Sequence, residues 1–146
     1  MGIRRKMVVT LCAGTVLAVW AAPFAAADTD PVTVGLTVTP ATAAVGDRVT
    51  VVATVTNNTS APTSAALGIE NPQYPAQRII SVGGKGCTPR NLTKLIYCGN
   101  PALGAGATAS ITVTLTPTAT GTDHFTAYGR ITGTNDVYAH ATLTVS

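Results

Sequence analysis

The sequence has few charged residues and lacks the apolar spacing of an amphipathic helix. Charged residues make up 10% of the 146 positions and aromatic residues 5%. No window places apolar residues at helical intervals. Three of the nine basic residues fall within the first six positions, which leaves six basic and six acidic residues in the rest of the chain. Because such a neutral chain has no clustered cations to neutralise phosphates, we expect no nucleic-acid partner.

Residue patterns of common catalytic and metal sites are also missing. There is no G-x-S-x-G motif, and Asp123 and His124 would point to opposite faces of a strand because they are adjacent. Glu70 and Asp136 are the only acidic residues outside obvious turn, strand-edge or terminal positions, and Glu70 fits an exposed strand end better than a paired carboxylate. Only two histidines are present, neither between the cysteines, so four zinc ligands at close spacing are lacking. We predict a protein that is not an enzyme and holds no metal or cofactor.

The first 27 residues have the pattern of a secretory signal peptide. Arg4–Lys6 form a basic end, Met7–Ala22 form an apolar run, and Ala25–Ala27 supply small residues for cleavage. The apolar run of about 16 residues is shorter than the roughly 20 that a helix needs to span a bilayer. We therefore predict a signal peptide over 1–27 and one domain over 28–146. The mature domain would lie outside the cell, free or associated with the cell envelope, without a membrane span.

The mature part alternates threonine and valine with the period of two that is typical of half-buried strands. Between Arg48 and Thr56, for example, Val49, Val51 and Val55 share one face and threonines share the other. Eight short strands separated by turn residues predict an all-β fold, an immunoglobulin-like two-sheet antiparallel β-sandwich of about seven to eight strands. The predicted strands are Val32–Thr39, Arg48–Thr56, Ser64–Glu70, Gln77–Val82, Lys94–Cys98, Thr108–Thr116, Asp123–Thr132 and Val137–Val145.

Turn residues separate these strands at several places. Asn57–Ser60 and Asn100–Pro101 are predicted to be turns, since Asn, Ser and Pro favour turn conformations. The last two strands, joined across Gly133–Asp136, are predicted to form a hairpin. The strands are also expected to place Tyr97, Phe125, Tyr128 and Tyr138 in the core or in cross-strand pairs.

The order of several motifs resembles an immunoglobulin-like conserved-repeat domain of unknown function found in bacterial surface and secreted proteins. The motifs are VGDRVT from Val45, VTNN from Val55, paired cysteines with Tyr97 before the second, LGAGA from Leu103, ITVTLTPTATG from Ile111 and a closing ATLTV. The resemblance spans nearly the whole mature chain and implies an immunoglobulin-like fold and a surface location, but no common activity. The chain departs from the family in having a single copy and in its middle segment, Ile69–Val82.

The segment GKGCTPRNLTKLIYCGN contains the two cysteines outside the signal peptide. In an exported chain Cys87 and Cys98 are expected to be oxidised, and we predict a disulfide between them. Closing the loop of ten intervening residues would stabilise the fold by about 3 kcal/mol.

The same segment is one of two places where binding is predicted. Lys85, Arg90 and Lys94 are either plain solvated cations or a pre-ordered binding loop for anionic cell-wall polymer or an extracellular protein. Tyr74, in the proline-flanked NPQYPAQ, is a second candidate, for stacking on sugar or peptide. The sequence favours an envelope component or extracellular binding module, with loops carrying any specificity. The alternative is a secreted inhibitor of an extracellular hydrolase that acts through the Cys87–Cys98 loop.

Overall fold

The computed structural model describes residues 30–70, 77–84, 87–88 and 95–146, and every regular element in these ranges is a β-strand. The predicted signal peptide, residues 1–27, lies outside the described residues. Ten strands occur: β1 (Val32–Thr39), β2 (Thr42–Ala43), β3 (Val49–Asn57), β4 (Thr63–Glu70), β5 (Gln77–Gly83), β6 (Cys87–Thr88), β7 (Leu95–Leu103), β8 (Thr108–Pro117), β9 (Gly121–Ile131) and β10 (Val137–Val145).

The strands form two sheets that share one hydrophobic core. The first sheet has four strands in the order β1-β3-β8-β5, and the second has six in the order β2-β10-β9-β4-β7-β6. All pairs are antiparallel except β2 and β10, in which Thr42 and Thr144 are neighbours in a parallel pair. The chain changes sheet between β1 and β2, within three residues. This architecture confirms the predicted immunoglobulin-like two-sheet sandwich.

The core between the sheets is built by strict alternation along the strands. In β3 every second side chain from Val49 to Val55 is at most 1% exposed, as the sequence pattern predicts. Ile111 of β8 joins them from the same sheet, and Leu67 and Leu143 close the core from the six-stranded sheet. Burial of these β-branched and leucine side chains is the main force that holds the two sheets together.

All eight predicted strands are present, but the prediction for Lys94–Cys98 is too short. The strand β7 begins at Leu95 and continues to Leu103, through the predicted turn at Asn100–Pro101. The pairing of β4 with β7 shifts between Thr63 and Ala65, opposite this proline. Because a bulge leaves a position without a ladder hydrogen bond, the missing N–H of proline is tolerated there. The short strands β2 and β6 were not predicted, since two residues carry no periodic signal.

The predicted turn at Asn57–Ser60 is also partly wrong, because Asn57 is the last residue of β3 and is fully buried. Its Nδ2 atom donates to the carbonyl oxygens of Ala61 at 2.9 Å, Leu103 at 3.2 Å and Gly104 at 3.0 Å. Its Oδ1 atom accepts from the backbone N–H of Thr59 at 3.0 Å. Asn57 therefore joins two loops at one end of the sandwich, and its hydrogen bond to the carbonyl oxygen of Leu103 is buried.

The two sheets present different outer faces. The four-stranded sheet turns a surface of hydroxyl groups outward, with threonines opposite one another in neighbouring strands, such as Thr50 opposite Thr114 and Thr56 opposite Thr108. Thr56 Oγ1 and Thr108 Oγ1 are 2.8 Å apart and hydrogen-bonded. The six-stranded sheet instead carries Tyr97, Tyr128 and Tyr138. In the described ranges no helix is long and apolar enough to cross a membrane.

Candidate functional site

Three tyrosines form one row across the outer face of the six-stranded sheet. In β4, which lies between β7 and β9, Gly68 is directly opposite both Tyr97 and Tyr128. Tyr128 is in turn opposite Tyr138 of β10. Ala127, the residue before Tyr128, is fully buried, and Ile96 and Cys98 on either side of Tyr97 are also buried. Because successive side chains in a strand alternate, the tyrosines point away from the core. We call Tyr97, Tyr128 and Tyr138 the tyrosine row.

The ring at the centre of the tyrosine row can take its position only because residue 68 is a glycine. A Cβ atom on Gly68 would overlap the ring of Tyr128, so this ring lies over the glycine backbone. An aromatic ring that covers a glycine in the neighbouring strand replaces the packing that the glycine lacks. Tyr128 is thus only partly exposed, whereas Tyr138 at the outer end of the row is 58% exposed.

The environment of Tyr128 keeps its phenol protonated. Burial raises the pKa of the Tyr128 hydroxyl above its ordinary value, and the negative charges of Glu70 and Asp136 raise it further, as does Tyr97. The positive charge of Arg130 acts in the opposite direction but does not reverse the shift in pKa. At neutral pH the row is therefore uncharged at its centre and offers both an apolar ring surface and a hydroxyl that donates and accepts hydrogen bonds.

A depression of about 380 Å³ adjoins the tyrosine row at Tyr97, on the side of the row that faces the β9–β10 turn. Its lining includes Tyr97, Ala66, Arg130, Ser64 and Thr132. The depression exists because small residues lie between large ones: in β4 and β7, Ala66 is opposite Gly99, with Tyr97 on one side and Arg130 on the other. Since Tyr97 belongs to both the row and the depression, the two form a continuous surface.

Arg130 supplies the positive charge of this surface. It is paired with Asp136, with Nη1 and Oδ1 separated by 3.7 Å, and its side chain remains 57% exposed. Oδ1 of Asp136 is buried and accepts no hydrogen bond from the described residues. A separation of 3.7 Å is too long for a strong charge-assisted hydrogen bond, so most of the donors of the guanidinium stay available to a ligand.

Asp123, His124 and Glu70 do not converge on a common site. Asp123 is buried and accepts a hydrogen bond from Nε2 of Gln77, whereas His124 is exposed on the other face of β9, as predicted. Glu70 is the exposed last residue of β4, also as predicted. Within the described ranges, no group of three or more His, Cys, Asp or Glu side chains is arranged to hold a metal ion.

The two cysteines are neighbours in the sheet. Cys87 of β6 is directly opposite Cys98 of β7, which is 6% exposed and belongs to the core. Directly opposite residues of an antiparallel pair have Cα atoms about 4.5–5.5 Å apart, which lies within the range that a disulfide requires. The side chain of Cys87 lies outside the described part of the chain, so the predicted disulfide stays a prediction, and the register is compatible with it.

The other predicted binding residues lie outside the described residues. These are Lys85, Arg90 and Lys94 of the basic loop and Tyr74 of the proline-flanked segment. The site described above was not predicted as a site. Of the four aromatic residues predicted to lie in the core or in cross-strand pairs, Phe125 is in the core, and Tyr128 and Tyr138 form a cross-strand pair on the outer face.

No protein-family model and no curated protein sequence matches this chain. Solved structures do resemble it. The CARDB domain of a Pyrococcus furiosus protein, solved with di-metal ions, has a TM-score of 0.54 at 16% identity, over 78% of this chain and 91% of the other. The N-terminal domain of a Streptococcus gordonii adhesin also reaches 0.54, at 14% identity, over 77% and 32%. A non-cellulosomal cohesin of Archaeoglobus fulgidus reaches 0.50 at 14% identity, over 77% and 91%.

At these identities the similarity establishes the fold alone. The chain is an immunoglobulin-like β-sandwich, which agrees with the fold that the sequence resemblance implied. The bacterial conserved-repeat family itself has no support from a family model. The function must therefore be inferred from this chain's own surface.

Proposed function

We propose that the protein is an exported, non-enzymatic module that binds polysaccharide outside the cell through the tyrosine row. The observation that carries the proposal is the alignment of Tyr97, Tyr128 and Tyr138 in one register row on an outer sheet face, with Tyr138 58% exposed. The strand registers place the three tyrosines side by side on one rigid sheet, where they form a platform rather than isolated aromatic residues.

The chemistry of the platform fits sugar rings. The apolar C–H faces of a pyranose pack on aromatic rings through dispersion, while phenol hydroxyl groups bond the sugar hydroxyls at the ring edges. Tyr97 and Tyr128 are separated by one intervening strand, so their Cα atoms are about 10 Å apart. This distance is close to the length of one disaccharide in an extended chain.

The predicted signal peptide and disulfide are consistent with this proposal. The predicted signal peptide would deliver the domain outside the cell, and the predicted disulfide between Cys87 and Cys98 would fix the edge of the six-stranded sheet beside Tyr97. An adhesin domain and a cohesin share the fold, which supports an extracellular binding or structural module as the class of function. The alternative of a hydrolase inhibitor depends on the basic loop, and no observation in the described residues favours it.

The proposal is tested by measuring the binding of the mature, oxidised protein to a panel of soluble polysaccharides by affinity electrophoresis and calorimetry. Tyr138→Ala should weaken binding by about fivefold, because removing an exposed stacking ring costs roughly 1 kcal/mol. Ile80→Ala is the matched control, since Ile80 is an exposed apolar residue at 47% on β5 of the other sheet. Equal loss in both variants, or binding by neither the wild type nor the variants, would reject the proposal.

A further inference from the structure

We propose that the polysaccharide bound by the tyrosine row is acidic, and that Arg130 binds a sugar carboxylate in the depression beside Tyr97. This inference rests on the proposed function and names its ligand class. It follows from three observations: the position of Arg130, the number of its hydrogen-bond donors that are free for a ligand, and the hydrogen bonds that fix the wall of the depression.

The positive charge of Arg130 lies on one side of the tyrosine row. Arg130 lies two residues after Tyr128 in β9, on the same outer face. The residue of β4 directly opposite Arg130 is Ala66, which carries no charge. Glu70 lies on the other side of the tyrosine row. A sugar chain lying across the rings would therefore meet the Arg130–Asp136 pair on one side and Glu70 on the other, so a carboxylate finds a guanidinium only on the Arg130 side.

Arg130 keeps most of its hydrogen-bonding capacity for a ligand. A guanidinium has five N–H donors in a planar fork that matches a carboxylate with two parallel hydrogen bonds. The contact with Asp136 involves one nitrogen at 3.7 Å, and the side chain is 57% exposed. Asp136 thus limits the orientation of Arg130 without occupying the fork. One guanidinium facing one carboxylate corresponds to a single uronic acid residue in the chain.

The wall of the depression is fixed before any ligand arrives. Thr134 Oγ1 donates to the carbonyl oxygen of Ile131 at 3.0 Å and accepts from its N–H at 3.2 Å, which closes the β9–β10 turn. Thr132 N–H donates to the carbonyl oxygen of Ser64 at 3.0 Å and ties the turn to β4. A pre-ordered wall lowers the entropy lost on binding. The hydroxyl of Thr132 also keeps acceptor lone pairs for a sugar hydroxyl.

Polysaccharides with and without their carboxylates provide the test. Polygalacturonate, alginate, glucuronoxylan and hyaluronan are each compared with the carboxyl-reduced form of the same polymer, in which the sugar backbone is unchanged. At least one acidic polymer should bind about tenfold more tightly than its reduced form at low salt, as expected when charged hydrogen bonds are removed. Raising NaCl from about 0.05 M to about 0.5 M should reduce this difference.

Substitutions assign the effect to Arg130. Arg130→Gln should abolish the preference for the acidic form, and Arg130→Lys should restore only part of it because lysine lacks the planar fork. Tyr138→Ala should weaken acidic and reduced forms by the same factor. Thermal unfolding of each variant confirms that the fold is kept, and Arg78→Gln, on the outer face of the other sheet, controls for a general change in charge.

The outcomes separate the two proposals. Equal binding of acidic and reduced polymers, or a preference that survives Arg130→Gln, would overturn the carboxylate site while polysaccharide binding stands. If no polymer binds in either form, both proposals fail. A preference for a glycerol-phosphate polymer over all four uronic polymers, lost in Arg130→Gln, would also overturn the assignment, since the site would then bind phosphate.

Discussion

The ring of Tyr128 lies over the backbone of Gly68 in the neighbouring strand, at a distance that leaves no room for a Cβ atom on residue 68. The contact affects both residues. The glycine has no side chain to pack against its neighbours, and the ring supplies that packing. The ring in turn is partly removed from solvent at this position, which raises the pKa of its hydroxyl. This pair holds the centre of the tyrosine row.

Replacing Gly68 with Ala should displace the ring of Tyr128 and destabilise the protein by about 1–2 kcal/mol. In a Tyr128→Ala background the same change should be neutral or stabilising by up to about 1 kcal/mol, because alanine restricts the unfolded chain more than glycine does. Urea unfolding of the four proteins in a double-mutant cycle measures the coupling.

Gly83→Ala is the control for this cycle, since among the described residues an added Cβ at that position meets only the carbonyl oxygen of Thr112, at 3.9 Å. It should change stability in the same way with and without Tyr128. A coupling energy near zero between positions 68 and 128 would show that the ring does not depend on the glycine.

The raised pKa of Tyr128 predicts a pH dependence of stability at the alkaline end. Folding favours the protonated phenol, so its contribution is complete below the ordinary tyrosine pKa of about 10 and is lost as pH rises through the folded-state pKa. Compared with Tyr128→Phe, the wild type should lose stability more steeply above about pH 10.

Tyrosinate absorbance gives a direct measurement of the same group. The difference between the titration curves of the wild type and Tyr128→Phe should be a single ionisation with a midpoint above about 10. In Gly68→Ala, where the ring is expected to move into solvent, that midpoint should fall. A difference curve centred at or below the ordinary pKa would contradict the burial of Tyr128.

The fold followed from local pattern, because period-two alternation is a property of one strand at a time. The buried face from Val49 to Val55 and the hairpin across Gly133–Asp136 were predictable for that reason. The tyrosine row was not. Its alignment depends on the register of strands distant in sequence, such as β4 against β9, and single strands carry no information on which strands become neighbours.

Polar residues were harder to place than apolar ones. An asparagine before Asn58, Thr59 and Ser60 has the local pattern of a turn. Asn57 is instead buried at a strand end, because the carbonyls of Leu103 and Gly104 approach it from a loop that is remote in sequence. The local sequence indicates a preference for a turn, but it contains no information on the tertiary partners that override this preference.

Asn57→Ala should destabilise the protein by about 2–3 kcal/mol, because it removes the hydrogen bonds of a fully buried side chain, including the buried bond to the carbonyl oxygen of Leu103. Asn57→Asp should be at least as damaging, since it keeps the acceptor for Thr59 but places a carboxylate against the carbonyl oxygens. The free energy of unfolding in urea measures both effects.

Asn58→Ala is the matched control for this prediction. Asn58 Nδ2 donates to the carbonyl oxygen of Asp30 at 2.8 Å and to Oγ1 of Thr33 at 2.7 Å, but these bonds are exposed. Water can replace an exposed donor, so the loss should be below about 1 kcal/mol. Equal losses of unfolding free energy in the two variants would mean that burial does not determine how much these hydrogen bonds contribute to stability.

The disulfide between Cys87 and Cys98 is expected to form in the exported protein. After removal of the signal peptide, no thiol should react with a chromogenic disulfide reagent in denaturant until a reductant is added. Reduction should lower the free energy of unfolding by about 3 kcal/mol, because it releases the loop constraint on the unfolded chain.

A comparison of Cys87→Ser with Cys98→Ser separates the cross-link from the core. Both variants lose the bond, but Cys98 is 6% exposed and packs in the core, so its replacement by a hydroxyl should cost additional stability. Reduced wild type should match Cys87→Ser more closely than Cys98→Ser. Two reactive thiols in the aerobically purified mature protein would contradict the disulfide. The edge strand β6 would then keep its backbone pairing with β7.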